Sequence, residues 1–195
     1  MKIGILGGTF NPIHSGHIAM AEYVARHMGM DKICFLPNGR PPHKKDYKIA
    51  DKHHRLEMVK LAIQDNPKFY VSDYEIMQDK HCYTVDTIKY FHSLSNDDYF
   101  FIIGADSLFQ LSTWKNAEEL KKICSFIVCD RARQGDTDAE VERLRQHGCN
   151  IMLCDMPLVD ITSTDIRRMI KEGLSISDYT DKKVAQYIYK NKLYL

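Results

Sequence analysis

At 195 residues, with 44% hydrophobic and 27% charged side chains, the chain is long enough for one folded domain with a sizeable core. A formal net charge of +1 excludes a global attraction to nucleic acid or an acidic membrane, so any anion must be met by a local cluster. No apolar run approaches the ~20 residues of a membrane span. Lys2-Ile3-Gly4 opens directly into a strand-like run rather than a leader pattern, so a cytoplasmic protein without membrane contact is expected.

KIGILG, Lys2 to Gly7, reads as a short buried strand. Ile18, Ala21, Val24, Ala25 and Met28 recur at helical spacing and predict a helix over Ser15 to Met28. Asp31 to Pro37 is a second strand, followed by a polar, proline-containing stretch from Asn38 to Asp51. A helix is expected over Lys52 to Gln64, a strand over Phe69 to Asp73 and a helix over Thr84 to Leu94. DYFFIIG, Asp98 to Gly104, is a strongly buried strand, with short helices at Asp106 to Leu111 and Ala117 to Ile123. Strands at Ser125 to Asp130 and Asn150 to Cys154 bracket a helix over Asp136 to Gly148. Helices at Ser163 to Lys171 and Asp181 to Lys190 end the chain.

Strands alternate with helices almost throughout, and several strands are apolar without alternation. That pattern predicts an α/β fold: a Rossmann-like, doubly wound parallel sheet with helices on both faces, one domain over residues 1–195. In such sheets ligands bind beyond the carboxyl ends of the strands, at the switch point. The six cysteines form no CxxC. Cys34, Cys124, Cys129 and Cys154 lie in or beside apolar runs, so reduced core thiols are expected rather than a zinc or disulfide framework.

The first strand ends in GGTFNPIHSGH, Gly7 to His17. Gly7 and Gly8 can adopt backbone angles closed to other residues and let the chain approach a ligand. Asn11-Pro12 signals a turn, and Ser15 or Gly16 opens the helix, so His14 and His17 flank its N-terminus, where unpaired N–H groups and the dipole favour an anion. A histidine pair alone reads as helix cap and core partners. A strand, a glycine pair, a turn and histidines at a helix start together point to phosphate handling. Neither GxxxxGK[ST] nor GxGxxG nor HExxH is present.

The form G-T-F-x-P-x-H-x-G-H resembles the nucleotidyltransferase superfamily with the HxGH motif, whose members join a nucleoside monophosphate from an NTP to a phosphate-bearing acceptor. Asn11 stands where that family commonly shows Asp, with little catalytic consequence expected. LPNGRPPHKK, Leu36 to Lys45, is by itself a solvated basic loop or a phosphate clamp. Its form resembles the loop of bacterial nicotinate mononucleotide adenylyltransferases. DITSTDIRR, Asp160 to Arg168, carries a capping box at Thr162 and Asp165 with Arg167 one turn into the helix, and resembles the family's I-S-S-T-x-I-R segment. YTVDT and FIIGADSLFQLSTWKN resemble further segments of the nicotinate mononucleotide enzymes. Read without that resemblance, Thr84 is a helix cap and Trp114 a half-buried packing residue.

The resemblance implies transfer of AMP from ATP to nicotinate mononucleotide, giving nicotinate adenine dinucleotide and pyrophosphate. It implies His14, His17, Lys44 and Arg167 as catalytic residues, with Gly8, Thr9, Phe10, Gly104, Asp106, Ile161 and Ser163 around ATP. Asn38, Thr84, Trp114 and Arg131 would meet the acceptor, Arg133 competing with Arg131 because Pro-Gly does not follow. Mg²⁺ would ride mainly on ATP phosphates, since no carboxylate cage is evident. The alternatives are another acceptor, nicotinamide mononucleotide or phosphopantetheine, and a non-catalytic nucleotide sensor. Nucleic acid is disfavoured by the neutral charge, despite Tyr47 in the basic loop. The oligomeric state, a homo-oligomer included, is open. DKHHR, Asp51 to Arg55, reads as a solvated helix start.

Overall fold

The computed structural model describes residues 1–40, 49–130, 135–157 and 159–195. Six strands form one parallel sheet: β1 (Lys2–Gly8), β2 (Lys32–Pro37), β3 (Phe69–Val71), β4 (Asp98–Gly104), β5 (Ser125–Asp130) and β6 (Asn150–Asp155). Their order in the sheet is β3-β2-β1-β4-β5-β6. After β3 the chain crosses back to lay β4 against β1, with Leu6 opposite Ile102. The switch point therefore lies between the carboxyl ends of β1 and β4.

The helices are α1 (Ser15–His27), α2 (Lys52–Ile63), α3 (Thr84–Leu94), α4 (Ala105–Gln110), α5 (Ala117–Ile123), α6 (Gly135–Gln146), α7 (Ser163–Lys171) and α8 (Lys182–Lys190), with a 3₁₀ turn at Leu111–Thr113. The strands are apolar on both sides because both faces are covered. In β4, Tyr99, Phe101 and Ile103 join α3, α4, α5 and α6 in one core, while Ile102 joins α1, α2, α7 and α8 in the other. Two-residue alternation along each strand feeds both cores.

Helix starts are fixed by side chains. Asp51 accepts from the His53 N–H at 2.8 Å and Asp181 from the Lys183 N–H at 2.7 Å. Thr162 and Asp165 make the expected capping box at α7. All six cysteines are free thiols, five of them buried. No helix among the described residues is long and apolar enough to cross a membrane.

Candidate active site

His14 is the N-cap of α1 and His17 its third residue. The His14 carbonyl accepts from the His17 N–H at 2.9 Å, and His17 Nδ1 accepts from the His14 N–H at 3.3 Å. That closes the first turn and draws the two imidazoles together, their centroids 3.7 Å apart. Phe10 meets His17 edge to face at 5.0 Å. Gly16 allows this arrangement: a Cβ there would sit 3.0 Å from His14 Nδ1. The left-handed backbone near the site belongs to Phe10, at φ 47°, not to Gly7 or Gly8. Those glycines instead make room for rings, since a Cβ on Gly7 would reach the Phe101 ring at 2.9 Å and one on Gly8 the Phe10 ring at 3.0 Å.

The turn between strand and helix, with a cis Asn11-Pro12 bond, is held from three other elements. The Asn11 carbonyl accepts from the Arg167 guanidinium at 2.8 Å, and the Pro12 carbonyl from the Ser163 hydroxyl at 2.8 Å. The buried Asn11 amide oxygen takes the Ala50 N–H at 3.0 Å, and the Ile13 carbonyl takes the Thr180 hydroxyl at 3.0 Å. Arg167, half-buried, also donates to the Thr164 hydroxyl at 3.0 Å. The start of α7 is thus delivered to the start of α1, with Ile161 buried beside Gly16.

A cleft of about 640 Å³ opens over the switch point. Of the residues singled out from sequence, Gly8, Thr9, His17, Asn38, Thr84, Gly104 and Trp114 line it. Tyr83, not Thr84, caps α3; Thr84 is the first helical residue, so its N–H has no intrahelical partner, and the residue lines the cleft. Trp114 stands edge to face on Phe101 at 6.2 Å. The Phe10 side chain is buried beneath the cleft, and Asp106 lies exposed in the first turn of α4, outside the lining. Lys44, Arg131 and Arg133 fall outside the described residues.

Two residues at this edge were not singled out as functional from sequence. Arg55 belongs to the stretch read as a solvated helix start, yet it is 1% exposed. The start of α2 is as expected; the arginine turns inward because backbone carbonyls just beyond β1 and β2, at Thr9 and Gly39, and at Ala50 before α2 accept from its N–H groups. Glu75 lines the cleft and is buried, its carboxylate accepting from the Thr87 hydroxyl at 2.8 Å. Burial pushes the Glu75 carboxyl above the ordinary carboxylate range, and the Thr87 bond only partly opposes this. A carboxyl whose folded pKa exceeds its unfolded one binds its proton more tightly when folded. It contributes stability below the unfolded value and loses it as pH rises through the folded one. Glu75→Gln is therefore expected to raise Tm at about pH 8 relative to wild type, with the two converging near pH 4. Thermal unfolding across that range checks it, and a lower Tm for the variant at the alkaline end would contradict the argument.

The parallel sheet with its switch point between β1 and β4 defines a Rossmann-like α/β protein. The chain belongs to the cytidylyltransferase-like family, whose model matches residues 5–169. It is 44% identical over 196 residues to a protein of Caldicellulosiruptor saccharolyticus named "Probable nicotinate-nucleotide adenylyltransferase", covering 100% of this chain and 99% of that one. A Clostridium acetobutylicum protein of the same name is 40% identical over 198 residues, at 100% and 99% coverage. In three dimensions the chain is similar to the Plasmodium falciparum nicotinic acid mononucleotide adenylyltransferase complexed with NaAD. The TM-score is 0.81 at 23% identity, covering 99% of this chain and 97% of that one. The same enzyme complexed with APC superposes with a TM-score of 0.80.

Proposed function

We propose that this enzyme transfers AMP from ATP to nicotinate mononucleotide, releasing pyrophosphate and forming nicotinate adenine dinucleotide. One observation carries the reading. A single cleft is lined by His17, from the first turn of α1, and by Thr84 and Trp114. It thus offers an imidazole and an aromatic ring to one ligand pair.

The acceptor phosphate is already ionised at neutral pH, so no general base is required. Its oxygen attacks the α-phosphorus, the bond from that phosphorus to the bridging oxygen breaks, and pyrophosphate leaves with the electron pair. The protein aligns the two and meets the charge that develops. His17 Nδ1 accepts a backbone N–H, so in the neutral ring the proton sits on Nε2 as a donor for an α-phosphate oxygen. His14 packs against that ring at 3.7 Å, and Gly8, Thr9 and the Phe10 backbone leave room for the nucleotide. Arg167 and Lys44 hold the leaving pyrophosphate, with Gly104, Asp106, Ile161 and Ser163 toward the adenosine. Asn38, Thr84, Trp114 and Arg131 receive the acceptor, the pyridine ring stacking on Trp114.

Among the described residues no cluster of three or more His, Cys, Asp or Glu is placed to ligate a metal. The phosphate end of the cleft presents neutral and cationic donors, which suits Mg²⁺ carried in on ATP oxygens and water. Bound there, it would neutralise part of the triphosphate charge. Free, mostly buried thiols support a reducing, cytoplasmic setting.

Pyrophosphate release, assayed with ATP and each acceptor in turn, tests the reading. Nicotinate mononucleotide is expected to exceed nicotinamide mononucleotide and phosphopantetheine in kcat/KM by at least about tenfold. Preference for another acceptor, or ATP binding without turnover, would overturn it.

A further inference from the structure

Arg55 is among the largest fully buried side chains of the protein. No carboxylate among the described residues lies within ion-pair distance of it. Among the described residues all of its bonds go to neutral oxygens. Nη1 donates to the Thr9 carbonyl at 2.7 Å and to the Asn38 side-chain oxygen at 3.3 Å. Nη2 donates to the Gly39 carbonyl at 3.1 Å, and Nε to the Ala50 carbonyl at 3.1 Å. Burying a cation whose described hydrogen-bond partners are all neutral is costly. A methionine of similar length would fill the space at less cost, so packing alone does not account for an arginine.

The Asn38 amide gives the reason. A guanidinium only donates, so the amide must turn its oxygen toward Arg55. Its NH₂ then faces away from Arg55, with Nδ2 3.5 Å from the Thr9 hydroxyl in a side chain that lines the cleft. The Asn38 backbone N–H is fixed as well, to the Gly8 carbonyl at 3.0 Å. Only the amide could flip, and a flipped amide would show a carbonyl oxygen to the cleft.

We propose that Arg55 is a positioning residue for the acceptor side of the transfer: its buried fork locks the Asn38 amide with NH₂ toward the cleft, so that an ionised phosphate oxygen meets a donor. This rests on the reading above that Asn38 receives the acceptor. Arg55 itself touches neither substrate.

Steady-state pyrophosphate release with ATP and nicotinate mononucleotide, on the full chain, tests it. Arg55→Lys keeps the charge and can still reach Thr9 or Ala50, but cannot span Asn38 and Gly39 together. It is expected to raise the acceptor KM about tenfold while the ATP KM moves less than about threefold, the size of one charge-assisted hydrogen bond. In an Asn38→Ala background the same change is expected to add nothing to the acceptor KM. Asn38→Asp leaves Arg55 in place and offers it a stronger partner, but turns a carboxylate oxygen to the cleft. It is expected to raise the acceptor KM at least about tenfold with Tm unchanged or higher. Multiplying effects of Arg55→Lys and Asn38→Ala, or a uniform loss of turnover with both KM values intact, would overturn the proposal. If Arg55→Lys does not fold, Asn38→Asp decides, and an unchanged acceptor KM there overturns it. A wild-type enzyme inactive with nicotinate mononucleotide would instead overturn the functional reading itself.

Discussion

Replacing His17 by alanine is expected to lower kcat about 10²- to 10³-fold, the usual result of removing one preorganised donor to developing charge. The ring is held on two sides, by the His14 N–H on Nδ1 and by the edge contact with Phe10. An imidazole so fixed is ready before substrate arrives, so its benefit falls on the transition state more than on ATP binding. The loss should therefore appear in kcat, with the ATP KM changed only a few-fold. Alanine also removes the bond between the His17 ring and the His14 N–H. Such a cap is worth about 1 kcal/mol, too little to unfold a domain. Thermal unfolding and steady-state kinetics on the same preparation separate the two effects. Near wild-type turnover in a folded His17→Ala protein would remove His17 from the chemistry.

The fold was legible because its signals are local. Apolar runs such as FFII in β4 and the spacing of Val24, Ala25 and Met28 report burial residue by residue. Expected and observed bounds accordingly agree closely: α3, α5, α7, β4 and β5 match at both ends. The differences fall at frayed edges, as where α6 ends at Gln146 rather than Gly148 because Gly148 takes the left-handed conformation, at φ 80°. The stretch from Gly7 to His17 was legible for the same reason, since a strand end, a turn and a helix start are read within eleven consecutive positions.

What stayed hidden depends on partners far away in the chain. Arg55 sits in a run of polar residues and looks solvated. Its partners Thr9, Asn38 and Gly39 are 46, 17 and 16 positions away, and only the fold brings their oxygens to it. Glu75 is equally silent, because nothing in DYEIM says that Thr87 will face it. At Gly7 and Gly8 only one of the two expected properties, the unusual backbone angle, is absent. The sequence suggests conformational freedom, whereas the packed structure uses the missing side chain as space for Phe101 and Phe10. Local pattern reports what a residue is, and burial of polar groups is decided by what it meets.

Arg167 carries the second large expectation. Its side chain reaches back from α7 to the Asn11 carbonyl, so one guanidinium ties the phosphate turn to the helix that follows the sheet. The contact with Thr164 fixes the plane of the fork. A planar, oriented guanidinium suits a pyrophosphate leaving group, whose charge grows as the bond to the α-phosphorus breaks. Arg167→Ala is therefore expected to lower kcat/KM for ATP by about 10²- to 10³-fold. Arg167→Lys should recover only part of this, because an ammonium restores the charge but not the fork. The reverse reaction, pyrophosphorolysis of nicotinate adenine dinucleotide, locates the contact. By microscopic reversibility a group that holds the leaving pyrophosphate must also hold the attacking one. The KM for pyrophosphate should rise at least about tenfold in Arg167→Ala, while that for the dinucleotide stays within about threefold. An unchanged KM for pyrophosphate beside a raised KM for the dinucleotide would place Arg167 on the nucleotide instead, leaving the pyrophosphate to residues outside α7.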